Sequence, residues 1–164
     1  MQKLATVPLV TSAEISAPVV PDSDPLAPLE ASAARPVTAG KFFRLNGDQW
    51  FIKGVSYGTF APATHGWQFP VDAQVTADFE LMARFGFNTV RLYTPPSPWV
   101  LDEAVRCGLR LIIGASWPQH IAFLDDRALC RRIRQQLAVQ VRRLASHPAV
   151  LLFAIGNEVP ASVV

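Results

Sequence analysis

The sequence predicts an α/β fold, specifically an incomplete (β/α)8 TIM barrel with four parallel strands and three helices. Two observations predict this fold. Short apolar runs alternate with amphipathic helical patterns after residue 54, and this alternation is typical of a parallel sheet built from βαβ units. The last apolar run opens onto Gly156-Asn157-Glu158, which places a carboxylate at the strand end where (β/α) barrels carry their catalytic groups. A surface glutamate that merely closes a strand is the alternative for Glu158.

The composition is that of an ordinary globular protein of 164 residues, 50% apolar and 17% charged, with a formal net charge of +2. No stretch approaches the roughly 18 consecutive apolar residues of a membrane span, and the N-terminus does not resemble a signal peptide. Cys107 and Cys130 lack metal-ligand spacing, so we interpret them as buried free thiols of a reducing compartment. We therefore expect a cytoplasmic protein without a metal or cofactor.

Much of the positive charge lies between Arg127 and Arg143. Apolar residues recur there at helical spacing, which predicts an amphipathic helix with a solvated basic face. A nucleic-acid or membrane surface would need interleaved aromatic residues or a second basic region, and neither is present. We expect no nucleic-acid partner.

The first 38 residues are rich in Ala, Pro, Val and Ser and poor in aromatic residues. Such a segment can bury too little apolar surface to offset the entropy lost on ordering. We predict a disordered or extended lead over residues 1–38 and a folded unit over residues 39–164.

A β-hairpin is predicted at the start of the folded unit, where Asn46-Gly47-Asp48 separates two short runs with strand character. Asn-Gly supplies the positive φ angles that a tight turn requires. The first parallel strand follows at 54–58. After a loop rich in Gly, Pro and aromatic residues, helical spacing predicts the first helix at 72–85, which Gly86 closes as a C-cap.

The strand and helix pair then repeats. The second strand is predicted at 88–93, with a helix at 99–107 that stops at Gly108. The third strand, at 109–114, is followed by the mouth residues 116–120. Asp125-Asp126 is predicted to cap the arginine-rich helix, which ends before Pro148, and the fourth strand at 149–155 leads to Glu158.

Four strands and three helices amount to half of a (β/α) barrel, since a whole one needs about 250 residues. A small doubly wound sheet is the alternative. No strand-to-helix turn carries the glycine spacing of a dinucleotide or phosphate cradle: Gly54 and Gly58 lie in the first strand but at neither spacing. The half-barrel is therefore the better interpretation.

Four segments together resemble the first half of retaining glycoside hydrolases of clan A, most closely the family-two and family-five barrels. They are Gly54–Tyr57, Phe85-Gly86-Phe87-Asn88-Thr89-Val90-Arg91-Leu92-Tyr93, His147-Pro148-Ala149-Val150 and Ile155-Gly156-Asn157-Glu158. The resemblance covers about residues 40–160. The variant Gly156-Asn157-Glu158-Val159-Pro160 is most similar to hydrolase-like domains of bacterial proteins that also carry a family-two glycosyltransferase.

The resemblance implies roles for three residues in the cleavage of β-linked glycans. It assigns the general acid/base to Glu158, a hydrogen bond to the sugar 2-hydroxyl to Asn157, and to Arg91 the position that keeps the nucleophile ionised. Aromatic faces able to stack on sugar rings are expected at or beyond the strand mouths, with core packing as an equal alternative: Tyr57, Tyr93, Trp67, Trp99 and Trp117. His120 is a further candidate for lining the site, although a lone loop histidine is more often structural, and His147 is interpreted as a helix terminus.

Retaining hydrolysis also needs a nucleophilic carboxylate about 5 Å from the acid, which the family places on strand seven. No other carboxylate of this sequence is predicted at a strand C-terminus. We therefore expect the chain to be inactive alone, and to form homo-oligomers or pair with a missing C-terminal half. The alternative function is a non-catalytic carbohydrate-binding or interaction module associated with a glycosyltransferase.

Overall fold

The computed structural model describes residues 34–61 and 68–160, which form a three-stranded antiparallel sheet, a four-stranded parallel sheet and three helices. The first sheet has the order β1-β2-β3. Its strands are β1 (Val37–Ala39), β2 (Phe42–Leu45) and β3 (Asp48–Trp50). The predicted hairpin is confirmed. Leu45 pairs with Asp48, and both residues of the turn have positive φ, 54° at Asn46 and 94° at Gly47.

Strand β1 corrects the predicted boundary of the lead at residue 38. Arg35 donates to the carbonyl oxygens of Ala145 at 2.6 Å and Val150 at 2.7 Å, and Arg110 donates to the carbonyl of Ala34 at 2.9 Å. These bonds tie the segment across the amino ends of the parallel strands, and composition alone does not reveal such long-range bonds. Residues 1–33 of the predicted lead lie outside the described residues.

The parallel sheet has the order β4-β5-β6-β7, so consecutive strands are neighbours. Its strands are β4 (Gly54–Tyr57), β5 (Thr89–Leu92), β6 (Arg110–Gly114) and β7 (Val150–Ala154). The helices between them are α1 (Asp72–Arg84), α2 (Pro98–Arg106) and α3 (Arg127–Leu144). All four predicted strands and all three predicted helices are present, with shifts of one or two residues at their ends.

Local chemistry explains where the helices begin and end. The Asp126 carboxylate accepts from the amides of Ala128 and Leu129 at the start of α3, which confirms the predicted cap. Gly86 and Gly108, beyond the ends of α1 and α2, have φ of 80° and 70°, which glycine adopts without steric cost.

One hydrophobic core lies between the helices and one face of the parallel sheet. Alternate strand residues on that face are fully buried: Val90, Leu92, Leu111 and Ile113. They meet buried side chains of all three helices, including Phe79, Leu101 and Leu144. A doubly wound sheet carries helices on both faces. Helices on one face and a sequential strand order are compatible with part of a (β/α) barrel.

The opposite face of the sheet is only half-covered. Strand β7 is an apolar run, yet Leu151 to Ala154 are all half-buried. The predictions for the basic helix and for the two cysteines have different outcomes. The arginines of α3 are exposed, as expected, Cys107 is buried and Cys130 is half-buried. Among the described residues, no helix combines the length and apolarity needed to cross a membrane.

Candidate active site

The carboxyl ends of β5 and β7 bring three of the predicted site residues together. Nη2 of Arg91, from β5, donates to Oδ1 of Asn157 at 2.5 Å. The Arg91 guanidinium also lies 4.8 Å from the centre of the Tyr93 ring, a cation–π distance. Asn157 lies 66 residues beyond Arg91 in the chain, and the parallel register places the two segments at one edge of the sheet.

These side chains line a small open pocket at the mouth of the sheet. Its wall is formed by Arg91, Leu92, Tyr93, Gly114, Ala115, Gln119, Ala154, Gly156 and Asn157. Gly114 makes the narrow approach of β6 to β5 possible, because a Cβ at this position would lie 2.3 Å from the carbonyl oxygen of Tyr93. Any other residue would force the two strand ends apart.

Glu158 follows Asn157 directly and is exposed at the same edge of the sheet. Its φ of 51° lies in the left-handed region, which is uncommon for a residue other than glycine. Such a backbone persists where the surrounding contacts hold it. Here the preceding residue is held on two sides, because the Asn157 amide donates to Oε1 of Gln119 at 2.6 Å while its side chain accepts from Arg91.

Trp117 and His120 lie in the loop that follows β6. Trp117 is half-buried, its Nε1 donates to the carbonyl of Ile155 at 2.5 Å, and its ring meets Phe123 edge to face. It is therefore an aromatic group fixed to the segment that leads to Glu158, outside the pocket wall itself. His120 is exposed and does not belong to the pocket wall.

Tyr57 does not join this group, and its predicted sugar contact is corrected. Its hydroxyl donates to Oδ2 of Asp78 in α1 at 2.6 Å, and its ring packs against Phe60 and Phe79. Burial, together with the neighbouring Asp78 carboxylate, raises the pKa of the Tyr57 phenol. Tyr57 and Val55 are two residues apart on β4, so both side chains lie on the face of the sheet that packs against the helices. Trp99 packs against the core, which was the alternative given for it, and Trp67 lies outside the described residues.

His147 has the structural role that was expected of it. Its Nε2 lies 3.1 Å from the Asp102 carboxylate of α2, and its Nδ1 lies 3.2 Å from the amide of Ala149. The ring thus joins the end of α3 to α2 at the end of the sheet opposite the pocket.

Gln119 is the site residue that the sequence analysis missed. An amide side chain in a loop has no distinguishing periodicity, so only its place three residues after Ser116, within the mouth of the third strand, could have drawn attention to it. Within the described ranges, no group of three or more His, Cys, Asp or Glu side chains could hold a metal ion.

The other carboxylates of the described residues have different positions. Asp78 lies on α1, Glu80 and Glu103 bond Arg106 between α1 and α2, and Asp102 contacts His147. The rest lie in the hairpin or at the starts of helices: Asp48, Asp72, Asp125 and Asp126. Glu158 is therefore the carboxylate that extends the carboxyl end of a parallel strand in this part of the chain.

No protein-family model matches this sequence, and no curated protein matches it at a significant level. Solved structures do. A β-glucuronidase from Parabacteroides merdae aligns over 77% of this chain and 15% of its own, with a TM-score of 0.56 and 21% identity. The fold is glycoside-hydrolase-like. A glycosyl hydrolase family 2 member from Bacteroides cellulosilyticus DSM 14838 aligns over 74% of this chain and 17% of its own, with a TM-score of 0.51 and 25% identity.

The protein ScGas2 aligns over 77% of this chain and 32% of its own, with a TM-score of 0.58 and 20% identity. The chain therefore spans between about a seventh and a third of the length of these three structures. Their common feature is the fold, and the described residues correspond to only a part of each molecule.

Proposed function

We propose that the chain is part of a retaining glycoside hydrolase that acts on β-linked glycans, with Glu158 as its general acid/base. The observation that supports this most is the Arg91–Asn157 hydrogen bond at the mouth of the sheet, directly before Glu158. A protonated Glu158 donates its proton to the glycosidic oxygen, and the resulting carboxylate then removes a proton from the incoming water.

Asn157 and Arg91 bind and orient in this mechanism. Oδ1 of Asn157 accepts from Arg91, so its Nδ2 group remains to donate to a sugar hydroxyl. The Arg91 guanidinium, stacked on Tyr93, contributes a fixed positive charge that stabilises a carboxylate nucleophile in its ionised form. Tyr93 and Trp117 present aromatic faces beside the pocket on which sugar rings can stack.

We propose that the nucleophile is supplied by residues outside the described ones, either in the remaining part of the barrel or in a second chain. Double displacement requires two carboxylates about 5 Å apart. We accordingly expect the purified 164-residue chain to cleave no aryl β-glycoside. Turnover that depends on Glu158 would contradict this expectation and would mean that two copies of the chain build one site.

The acid/base role is tested in the protein or assembly that contains the complete barrel, with aryl β-glycosides of graded leaving-group acidity. Glu158→Gln should lower kcat/KM about 10²- to 10⁴-fold on poor leaving groups, because they need the proton. The loss should shrink on good leaving groups. Asp48→Asn, in the hairpin at the other end of the molecule, is the matched control and should leave turnover unchanged. An equal loss on all substrates would exclude Glu158 as the acid.

A non-catalytic carbohydrate-binding module, associated with a glycosyltransferase, is the second candidate. It is favoured because Glu158 has no second carboxylate beside it at this sheet edge among the described residues, whereas retaining hydrolysis needs two. Isothermal titration of the chain with cellobiose and laminaribiose, combined with the turnover assay, separates the two. Saturable binding without turnover in the complete protein supports the module.

A further inference from the structure

The loop after β6 continues the pairing between β6 and β7 beyond the ends of both strands. The Ala115 amide donates to the carbonyl of Ala154 at 2.9 Å in ordinary parallel fashion. Beyond this bond, side chains of the loop take over as hydrogen-bond partners of the segment after β7. Nε1 of Trp117 donates to the Ile155 carbonyl, and Oε1 of Gln119 accepts from the Asn157 amide. The segment leading to Glu158 is thus held along its length by this loop.

The loop itself is anchored to α3 through both polar groups of the Ser116 backbone. Gln140 accepts from the Ser116 amide at 2.9 Å and donates to the Ser116 carbonyl at 2.6 Å. Gln136 donates to the same carbonyl at 2.9 Å. Because α3 packs into the core through Ile133 and Leu144, the loop rests on a rigid element.

We propose that Gln119 is a positioning residue that holds the Asn157 peptide and thereby the left-handed backbone of Glu158. Asn157 is fixed between Gln119 at its amide and Arg91 at its side chain. A left-handed backbone is unfavourable for a residue other than glycine, so its neighbours must hold it in place. Without the Gln119 bond, the Asn157 peptide turns and Glu158 relaxes toward an ordinary conformation. The inference deepens the proposed function and rests on it for the role of Glu158.

The bond is tested by hydrogen exchange of the Asn157 amide, followed by mass spectrometry of the 164-residue chain. Gln119→Met keeps the length of the side chain but removes the acceptor, and should speed exchange by about fivefold, the change expected when one ordinary hydrogen bond is lost. Gln119→Glu keeps an acceptor oxygen and should restore slow exchange. Gln135→Met, at an exposed position of α3, is the matched control and should have no effect.

Two results would overturn the proposal: unchanged exchange in Gln119→Met, or equally fast exchange in both Gln119 variants. The second result would indicate that only general packing is lost. A cellobiose titration of the same proteins supplies the functional measurement. We expect Gln119→Met to weaken binding and Gln119→Glu to restore it, and equal affinity in the two would contradict positioning.

The two measurements keep the inference separate from the proposed function. If the wild-type chain binds neither cellobiose nor laminaribiose, carbohydrate binding by this chain is wrong, while the exchange data still decide whether Gln119 holds Asn157. If the wild type binds and the exchange of Asn157 is insensitive to Gln119, the proposed function stands and the positioning role fails.

Discussion

Tyr57 and Tyr93 show how one residue type takes two different positions near the ends of neighbouring strands. Tyr57 is buried between β4 and α1 with its hydroxyl on Asp78, whereas Tyr93 is half-buried in the pocket wall beneath Arg91. The first position serves the core and the second serves the proposed site. Deletion of the hydroxyl group should therefore lower stability at Tyr57 but not at Tyr93.

We expect Tyr57→Phe to lower the free energy of unfolding by about 1.5–3 kcal/mol, the range for hydrogen bonds to charged groups, and to leave cellobiose affinity unchanged. Tyr93→Phe, its matched control, should leave stability within about 0.5 kcal/mol, as surface substitutions usually do. Urea denaturation at low protein concentration measures both variants. A stability loss confined to Tyr93→Phe would mean that the two roles are reversed.

Side-chain alternation along β4 could have predicted the position of Tyr57. Val55 and Tyr57 are two residues apart and so share one face, and an apolar Val on that face indicates the core. The sequence analysis relied instead on the nearness of Tyr57 to a strand end. Arg91 and Asn157 could be placed at one edge, because the strand ends of a parallel sheet coincide. Their direct hydrogen bond depends on side-chain conformations that no sequence pattern encodes.

At the scale of elements, α1 and α2 are joined by an ion-pair group centred on Arg106. Its guanidinium donates to Glu103 in α2 and to Glu80 in α1, with the shorter contacts at 2.7 Å. Glu103 is buried, with 8% of its surface exposed. Hydrogen bonding to Arg106 lowers the pKa of the Glu103 carboxyl below its ordinary value of 4.5. The folded state therefore binds this proton more weakly than the unfolded state does.

This shift predicts a pH dependence of stability. The contribution of Glu103 is complete above its unfolded pKa of about 4.5 and is lost as the pH falls through the lowered folded pKa. We expect Glu103→Gln to flatten the fall in the urea midpoint between about pH 5 and pH 3. Arg106→Gln should flatten it in the same way, because the carboxyl loses its donor. A wild-type slope in both variants would contradict the linkage.

The element order was predictable because turn chemistry is local. Asn46-Gly47, Gly86, Gly108 and Asp126 each mark a turn or a helix end through their own backbone or side chain, and the structure confirms all four. Strand β1 was not predictable in this way. Its three residues are held by pairing with β2 and by the distant contacts of Arg35, none of which a local pattern contains.

At the scale of the molecule, the parallel sheet has two edge strands, β4 and β7, within the described residues. The face opposite the helices is half-covered along β7, and Ile155 beyond it is 49% exposed. Unpaired strand edges associate with other chains, and soluble monomers rarely expose large contiguous apolar patches. We predict that the isolated chain is a dimer, a larger oligomer or prone to aggregation.

Light scattering at several protein concentrations measures this property. The expected result is a mass above that of one chain, 18.0 kDa, which rises with concentration. Lysine substitutions at Leu152 and Ile155 should shift the distribution toward the monomer, since charges on an exposed strand oppose pairing. A compact monomer at every concentration, with cooperative unfolding, would refute the half-barrel interpretation.

The hydrogen bonds from Arg35 to Ala145 and Val150 constrain the order of events during folding. These partners lie 110 and 115 residues further along the chain, so during synthesis they leave the ribosome on the order of ten seconds after Arg35 at ordinary elongation rates. Arg35 remains without these two acceptors through that interval, while β1 can already pair with β2 and Ala34 can already accept from Arg110. The two hydrogen bonds of Arg35 therefore form only after the start of β7 has been synthesised.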